Sequence, residues 1–122
     1  MQQGKSMKRE RQRPSSRRSS ASPSRLERMI AEATVDCYNN GERAMGLFNM
    51  ITENVILPFA TTVLGLPVAV ERIDLNDAGE IVAVCARGPE RQRIPIVDLP
   101  LPSPRPEGTE WIEAYRRWAK GR

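Results

Sequence analysis

The spacing of apolar residues along the chain changes from a helical to a strand-like period near Pro58. Before that proline, apolar residues recur every three or four positions, which places them on one face of a helix. This pattern predicts helices over residues 25–38 and 42–55. Ser24 and Glu27 have the spacing of a capping box at the start of the first helix. The apolar positions are Leu26, Met29, Ile30, Ala33 and Cys37 in the first helix and Met45, Phe48, Ile51 and Val55 in the second.

After Pro58, short runs of β-branched and other apolar residues alternate with turn residues, which is the pattern of strands. One of these runs contains Pro95, which cannot donate a ladder hydrogen bond, so we expect that strand at a sheet edge. A final helix is predicted over residues 109–119, and we interpret its Trp111 and Trp118 as core residues. The predicted strands cover residues 61–64, 68–75, 80–87 and 91–98.

Together these elements predict an α+β fold. Several short strands between residues 59 and 100 suggest a small SH3-like β-barrel. A barrel of this size has too little core to be stable alone. We therefore expect a helical N-terminal pair (residues 25–55) and the C-terminal helix to pack on it. Residues 25–122 would then form a single domain.

The beginning of the chain differs in composition from the rest. The first 25 residues contain eight basic residues against one acid, Glu10, for a net charge of +7. The whole chain carries +4, so residues 26–122 carry −3. A segment with so few apolar residues cannot bury enough surface to become ordered, so residues 1–24 are predicted to be a disordered basic tail. The acidic remainder suits a cation as ligand better than a nucleic acid.

The chain contains no histidine, and the spacing of Cys37 and Cys85 is not that of a metal site. The commonest general base and the commonest zinc ligand are therefore missing. No glycine loop that could cradle phosphates is present either, so we predict that the protein is not an enzyme. We interpret the cysteines as small buried side chains in a reducing cytoplasm. The sequence also lacks the roughly 18 consecutive apolar residues of a transmembrane helix.

The first candidate site is an acidic turn between two predicted strands. Asp74, Asn76, Asp77 and Glu80 lie within seven residues of each other. Carboxylate and amide oxygens are ligands of Ca²⁺, which takes six to eight of them. The same residue types also build ordinary hairpin turns. Both interpretations remain open from the sequence.

The second candidate lies between the two predicted N-terminal helices and consists of Asp36, Asn39, Asn40 and Glu42. The C-terminus of a helix offers free carbonyls and partial negative charge, both of which attract a cation. The alternative is a helix junction in which Asn40 caps the second helix.

The third candidate is basic. Arg87, Arg91 and Arg93 lie near a predicted hairpin, where they could contact a phosphate backbone. The alternative is a solvated strand face. No aromatic residue alternates with these arginines, which disfavours binding to single-stranded nucleic acid.

Four stretches of the chain resemble a known family. They resemble the small bacterial calcium-binding proteins of the CcbP type, and the resemblance covers roughly residues 28–119. The stretches are EATVDCYNNGERAMGLFNMITENVILPF, GLPVAVERIDLNDAGEIVAVCARG, RQRIPIVDLPLP and EGTEWIEAYRRW.

The resemblance implies a helical pair on an SH3-like barrel that binds Ca²⁺ through acidic side chains without an EF-hand. Family members tend to be more acidic after the first helix, where this chain has Asn39 and Asn40, and this implies weaker binding. We therefore predict a cytoplasmic, monomeric calcium-binding protein, a buffer or a sensor, with no membrane partner. The alternative is a nucleic-acid-binding or protein-interaction module that uses the basic tail and the hairpin arginines.

Overall fold

A computed structural model describes residues 21–121 of the protein. These residues form three α-helices and four strands, so the predicted α+β class is confirmed. The predicted disordered tail falls largely on residues 1–20, which lie outside the described residues. In chain order the elements are α1 (Pro23–Ala33), α2 (Asn40–Asn54), β1 (Phe59–Val63), β2 (Leu66–Leu75), β3 (Ile81–Arg87), β4 (Glu90–Pro95), a short 3₁₀ helix (Ile96–Asp98) and α3 (Glu110–Gly121).

The four strands form one antiparallel sheet in the order β1-β2-β3-β4. Each strand pairs with its neighbour in sequence, so hairpin turns make every connection. The register shifts between Val70 and Arg72 in β2, where a bulge interrupts the ladder. The sheet is open, and β1 and β4 are its two edges, so the SH3-like barrel is not confirmed. The prediction that Pro95 lies in an edge strand is confirmed.

The start and the end of α1 differ from the prediction. The Oγ of Ser22 accepts from the amide of Arg25 at 3.2 Å, so Ser22 caps α1 and the predicted cap at Ser24 is wrong. Pro23 then occupies the first turn, where its missing N–H has no cost. The helix ends at Ala33 rather than residue 38, and the chain reaches a left-handed conformation at Asp36 (φ 67°).

The hydrophobic core lies where the three helices meet one face of the sheet. Trp111 is buried in this core and Trp118 packs against it, which confirms the interpretation of both residues as packing residues. Burial of aromatic area of this kind contributes on the order of 2–3 kcal/mol per side chain. The most deeply buried apolar side chains are Leu47, Ile51, Val70, Ile81, Ile96, Leu99 and Ile112.

Gly108 allows the segment before α3 to approach the end of α2. A Cβ atom at this position would lie 2.0 Å from the carbonyl oxygen of Asn54, and the backbone has a φ of +87°. Both the space and the dihedral angle therefore require glycine. The amide of Ile56 donates to the carbonyl of Glu107 at 3.2 Å beside this contact. Within residues 21–121, no helix is long and apolar enough to cross a membrane.

Candidate functional site

The turn between β2 and β3 is held by one asparagine. The Oδ1 of Asn76 accepts from the amides of Ala78 and Glu80, both at 2.9 Å. Its Nδ2 donates to the Oε1 of Glu80 at 3.0 Å. Gly79 supplies the positive φ of +80° that completes the turn. Asn76 therefore does here what asparagine does in tight turns, which is to replace backbone partners with its own side chain.

Asp74 is an ion-pair partner of two arginines. Its Oδ2 accepts from the Nε and Nη2 of Arg72 at 3.2 and 3.1 Å, and the Nη1 of Arg93 lies at 3.7 Å. This hydrogen bond and the charge of Asp74 raise the pKa of Arg72. The charge of Asp74 is therefore balanced from within the sheet.

A calcium ion at the β2–β3 turn would compete with internal hydrogen bonds for several of its ligands. Asp74 and Asn76 already accept from internal donors, and one oxygen of Glu80 is also bonded. Exposed Asp77 and the second oxygens of Asp74 and Glu80 remain, so backbone carbonyls and water would have to complete the six to eight ligands of Ca²⁺. The arginines beside Asp74 reduce the negative charge that this turn offers a cation.

The junction between α1 and α2 is built by reciprocal capping. The Oδ1 of Asn39 accepts from the amide of Glu42 at 2.8 Å, and the Oε1 of Glu42 accepts from the amide of Tyr38 at 2.7 Å. This arrangement resembles a capping box, and it satisfies two amides near the start of α2. Asn40 accepts from the guanidinium of Arg43 at 3.2 Å, a cation that disfavours a metal ion at the same oxygen.

The junction retains oxygens that a cation could use. Asp36, Asn39 and Glu42 are all exposed. The carboxylate of Glu42 has a second oxygen, and an amide oxygen such as that of Asn39 has two lone pairs. The donor types therefore fit Ca²⁺, but only two of them are charged. Within residues 21–121, no three histidine, cysteine, aspartate or glutamate side chains are grouped so that they could hold a metal ion.

Two of the three hairpin arginines form ion pairs, although Arg93 shares Asp74 with Arg72. The Nε of Arg91 lies 2.9 Å from the Oε1 of Glu71, and Arg93 lies beside Asp74. Arg87 is exposed and forms no ion pair with the described part of the chain. These ion pairs are more typical of a solvated strand face than of a phosphate-binding surface.

The partners of these ion pairs were missed from the sequence. Glu71 and Arg72 lie at the β2 bulge, which shifts Arg72 to a position opposite Val84. Arg93 also pairs with Val84, from β4 on the other side. Alternation along one strand does not indicate where a bulge falls, so the sequence offered no pattern that brings Arg72, Arg93 and Asp74 together.

The two cysteines are free thiols in different surroundings. Cys85 is buried in the centre of the sheet, and burial raises the pKa of its thiol. Cys37 is partly exposed at the α1–α2 junction, and its Sγ lies 3.5 Å from the carbonyl of Glu42. The interpretation as buried apolar side chains is confirmed for Cys85 only.

Comparison with solved structures defines the class of fold. A calcium-binding protein in its calcium-binding form matches with a TM-score of 0.63 and 19% identity, over 80% of this chain and 91% of that chain. The crystal structure of Anabaena CcbP matches with a TM-score of 0.63 and 18% identity, over 84% of this chain and 94% of that chain. No protein-family model and no curated protein matches the sequence. The resemblance to the CcbP type is thus confirmed at the level of the fold.

Proposed function

We propose that this protein binds Ca²⁺ weakly and reversibly, at the junction between α1 and α2. The observation that carries the proposal is the fold, which is shared with a protein solved in a calcium-binding form. The junction supports it as the location because Asp36, Asn39 and Glu42 present exposed oxygens of the type that Ca²⁺ prefers. The β2–β3 turn is the less favoured location because Arg72 and Arg93 offset the charge of Asp74 there.

The charge at the junction sets the expected affinity. Two carboxylates and neutral amide oxygens offer less charge than the sites of high-affinity calcium proteins. We therefore expect a dissociation constant on the order of 10⁻⁴ to 10⁻³ M. Calcium sensors bind at about 10⁻⁷ to 10⁻⁵ M, so this affinity would separate the protein from typical sensors.

A binding role without catalysis is part of the same proposal. The chain has no histidine, and a thiol needs an adjacent base or a lowered pKa to become a strong nucleophile. The pKa of the Cys85 thiol is instead raised. We propose a monomeric, cytoplasmic protein, and gel filtration and fractionation would check these two properties.

The main experiment is a calcium titration by calorimetry together with thermal melting. At a tenfold excess of Ca²⁺ over the dissociation constant, the stability should rise by about 1.4 kcal/mol. Asp36→Asn and Glu42→Gln should each weaken binding severalfold. Both replacements suit the backbone, because Asn tolerates the left-handed conformation at residue 36 and Gln retains the acceptor that bonds to Tyr38.

Asp77→Asn is the matched control, since it removes one exposed carboxylate from the other candidate site. We expect it to leave calcium binding unchanged. An absence of both heat and melting shift at millimolar Ca²⁺ would contradict calcium binding by this protein. A loss of binding in Asp77→Asn, with Asp36→Asn unaffected, would contradict the location at the junction.

The nucleic-acid alternative is less well supported. Arg91 pairs with Glu71, and Arg93 shares Asp74 with Arg72; Arg87 is the remaining unpaired arginine of the three among the described residues. Nucleic-acid binding through the N-terminal basic residues would show affinity that falls steeply with salt. A titration with a short duplex at two salt concentrations would test it.

A further inference from the structure

A groove of about 540 Å³ runs between α3 and the end of the sheet that carries the β2–β3 turn. Its lining is mixed: Ile81, Pro95 and Ala119 are apolar, whereas Glu80, Arg116 and Lys120 are charged. Val97 also lines it and is 45% exposed, so the groove leaves apolar surface in contact with water. A concave site of several hundred Å³ has the size of a small-molecule site.

Two cations, Arg116 and Lys120, line this groove. The guanidinium of Arg116 donates from Nε to the carbonyl of Ile96 at 3.0 Å, and from Nη2 to the carbonyl of Leu99. These neutral acceptors fix the position of the guanidinium, and the carboxylates of Glu113 and Asp98 balance part of its charge. Within residues 21–121, neither Arg116 nor Lys120 forms an ion pair.

The surroundings of Arg116 disfavour the charged form of its guanidinium. Burial lowers the pKa of Arg116, and the positive charge of Arg105 lowers it further; Glu113 and Asp98 offset only part of this effect. Lys120 lies four residues along the same helix, where like charges repel. An anion at the groove would therefore be stabilised by both cations.

Structural roles account for the positions of these side chains but leave part of their charge uncompensated. Arg116 joins α3 to the 3₁₀ helix through the carbonyls of Ile96 and Leu99. Lys120 lies in the last turn of α3, where a cation interacts favourably with the helix dipole. Neither role explains why a groove opens beside the two charges.

We propose that this groove binds a small amphipathic monocarboxylate, with its carboxylate between Arg116 and Lys120 and its apolar body on Ile81, Pro95 and Val97. Glu80 lies at the rim of the same groove. Its negative charge disfavours a second anionic group on the ligand, which selects a monoanion over a dianion. This site is separate from the α1–α2 junction, so it does not depend on calcium binding.

The test uses octanoate as the probe, in the presence of EDTA so that calcium cannot contribute. Binding is followed by NMR shifts of the backbone amides of Val97 and Ala119. Octan-1-ol has the same chain without the charge, and octyltrimethylammonium has the opposite charge. We expect octanoate to bind at millimolar concentration or better, octan-1-ol more weakly, and the cation least.

Lys120→Gln should weaken octanoate binding about three- to fivefold, the scale of one exposed charge interaction. Arg117→Gln is the matched control, because it removes one positive charge from the preceding turn of α3. Arg117 lies outside the groove, where it pairs with Glu27 at 2.6 Å. Glu80→Gln should tighten binding. All three residues are exposed, so the variants should fold.

Three results would each overturn the proposal. The first is no shift at Val97 and Ala119 at millimolar octanoate. The second is equal binding of octan-1-ol and octanoate, which would mean an apolar surface without anion recognition. The third is an equal effect of Lys120→Gln and Arg117→Gln, which would mean that only the net charge of the protein matters.

Discussion

At the scale of single residues, Cys85 shows how its position in the sheet controls its chemistry. It lies in the centre of β3, opposite Val70 in β2 and Gln92 in β4, and it is 3% exposed. Removal from water disfavours the thiolate and raises the pKa of this thiol. Cys37 lies in the loop after α1 and is partly exposed.

We predict that the two thiols differ in reactivity. At about pH 8, a chromogenic disulfide reagent should modify Cys37 in the folded protein and Cys85 only on unfolding, because the thiolate is the reactive species. The folded state favours the protonated thiol of Cys85. Its contribution to the free energy of unfolding is fully present below the ordinary thiol pKa of about 8.5. It is lost as the pH rises above that value, since the unfolded chain then releases the proton that the folded chain retains.

Urea unfolding at a series of alkaline pH values checks the second part of this prediction. Cys85→Ala should reduce the fall in unfolding free energy with rising pH, and Cys37→Ala should retain it. Equal slopes in both variants would mean that Cys85 does not contribute to the pH dependence.

At the scale of elements, the β2–β3 hairpin depends on Asn76 rather than on its carboxylates. We predict that Asn76→Ala costs about 1–2 kcal/mol, because the amides of Ala78 and Glu80 lose their acceptor. Asp77→Ala, one residue further along, should change the stability by less than about 0.5 kcal/mol. Urea unfolding of both variants measures the difference, and similar costs would contradict the role of Asn76.

The arginines also change what is expected of Asp74. From the sequence, Asp74 and Asp77 are two carboxylates whose charges repel, so their neutralisation would leave the stability unchanged or slightly higher. The ion pairs with Arg72 and Arg93 reverse this expectation for Asp74. Asp74→Asn should lower the stability by less than about 1 kcal/mol, since all three side chains are partly solvated.

The sequence pattern predicted the type of most elements, but not where each element begins and ends or whether the sheet closes into a barrel. Periodicity depends on which side of an element is buried, and that information is local. Barrel closure depends on bulges and register, such as the shift between Val70 and Arg72, which periodicity does not contain. The cap of α1 was misplaced because Ser22 and Ser24 flank Pro23 and both are favourable capping residues.

The candidate sites were limited by the same kind of non-local information. The sequence shows which side chains carry oxygens, but whether an oxygen is free depends on its neighbours in space. Asp74 is balanced by Arg93 from another strand, and this contact cannot be read from the acidic turn itself. An asparagine cap for α2 was predicted from the sequence, but at Asn40; the structure places the cap one residue earlier, at Asn39.

At the scale of the whole molecule, α1 is attached to α3 by its first residues. The amide of Ala21 donates to the Oε1 of Glu113 in α3 at 3.2 Å. Arg117 and Glu27 form an ion pair at 2.6 Å between the same two helices. Leu26 and Met29 of α1 are buried in the core beside them. The first residues of the folded unit are therefore held in place by contacts with its last helix.

The domain boundary proposed from the sequence, between residues 24 and 25, would cut through this interaction. We predict that a chain beginning at Ser20 melts like the full-length protein, because it retains the amide of Ala21 and the Ser22 cap. A chain beginning at Ser24 loses both, and the cap and the hydrogen bond to Glu113 together should be worth about 2 kcal/mol. In a domain of this size, such a loss lowers the melting temperature by about 10 °C.

Thermal melts of the three chains measure this. Equal melting of the two truncated chains would place the boundary at Ser24 after all, whereas a large loss in the chain from Ser20 would mean that the basic N-terminal residues contribute to the stability of the fold.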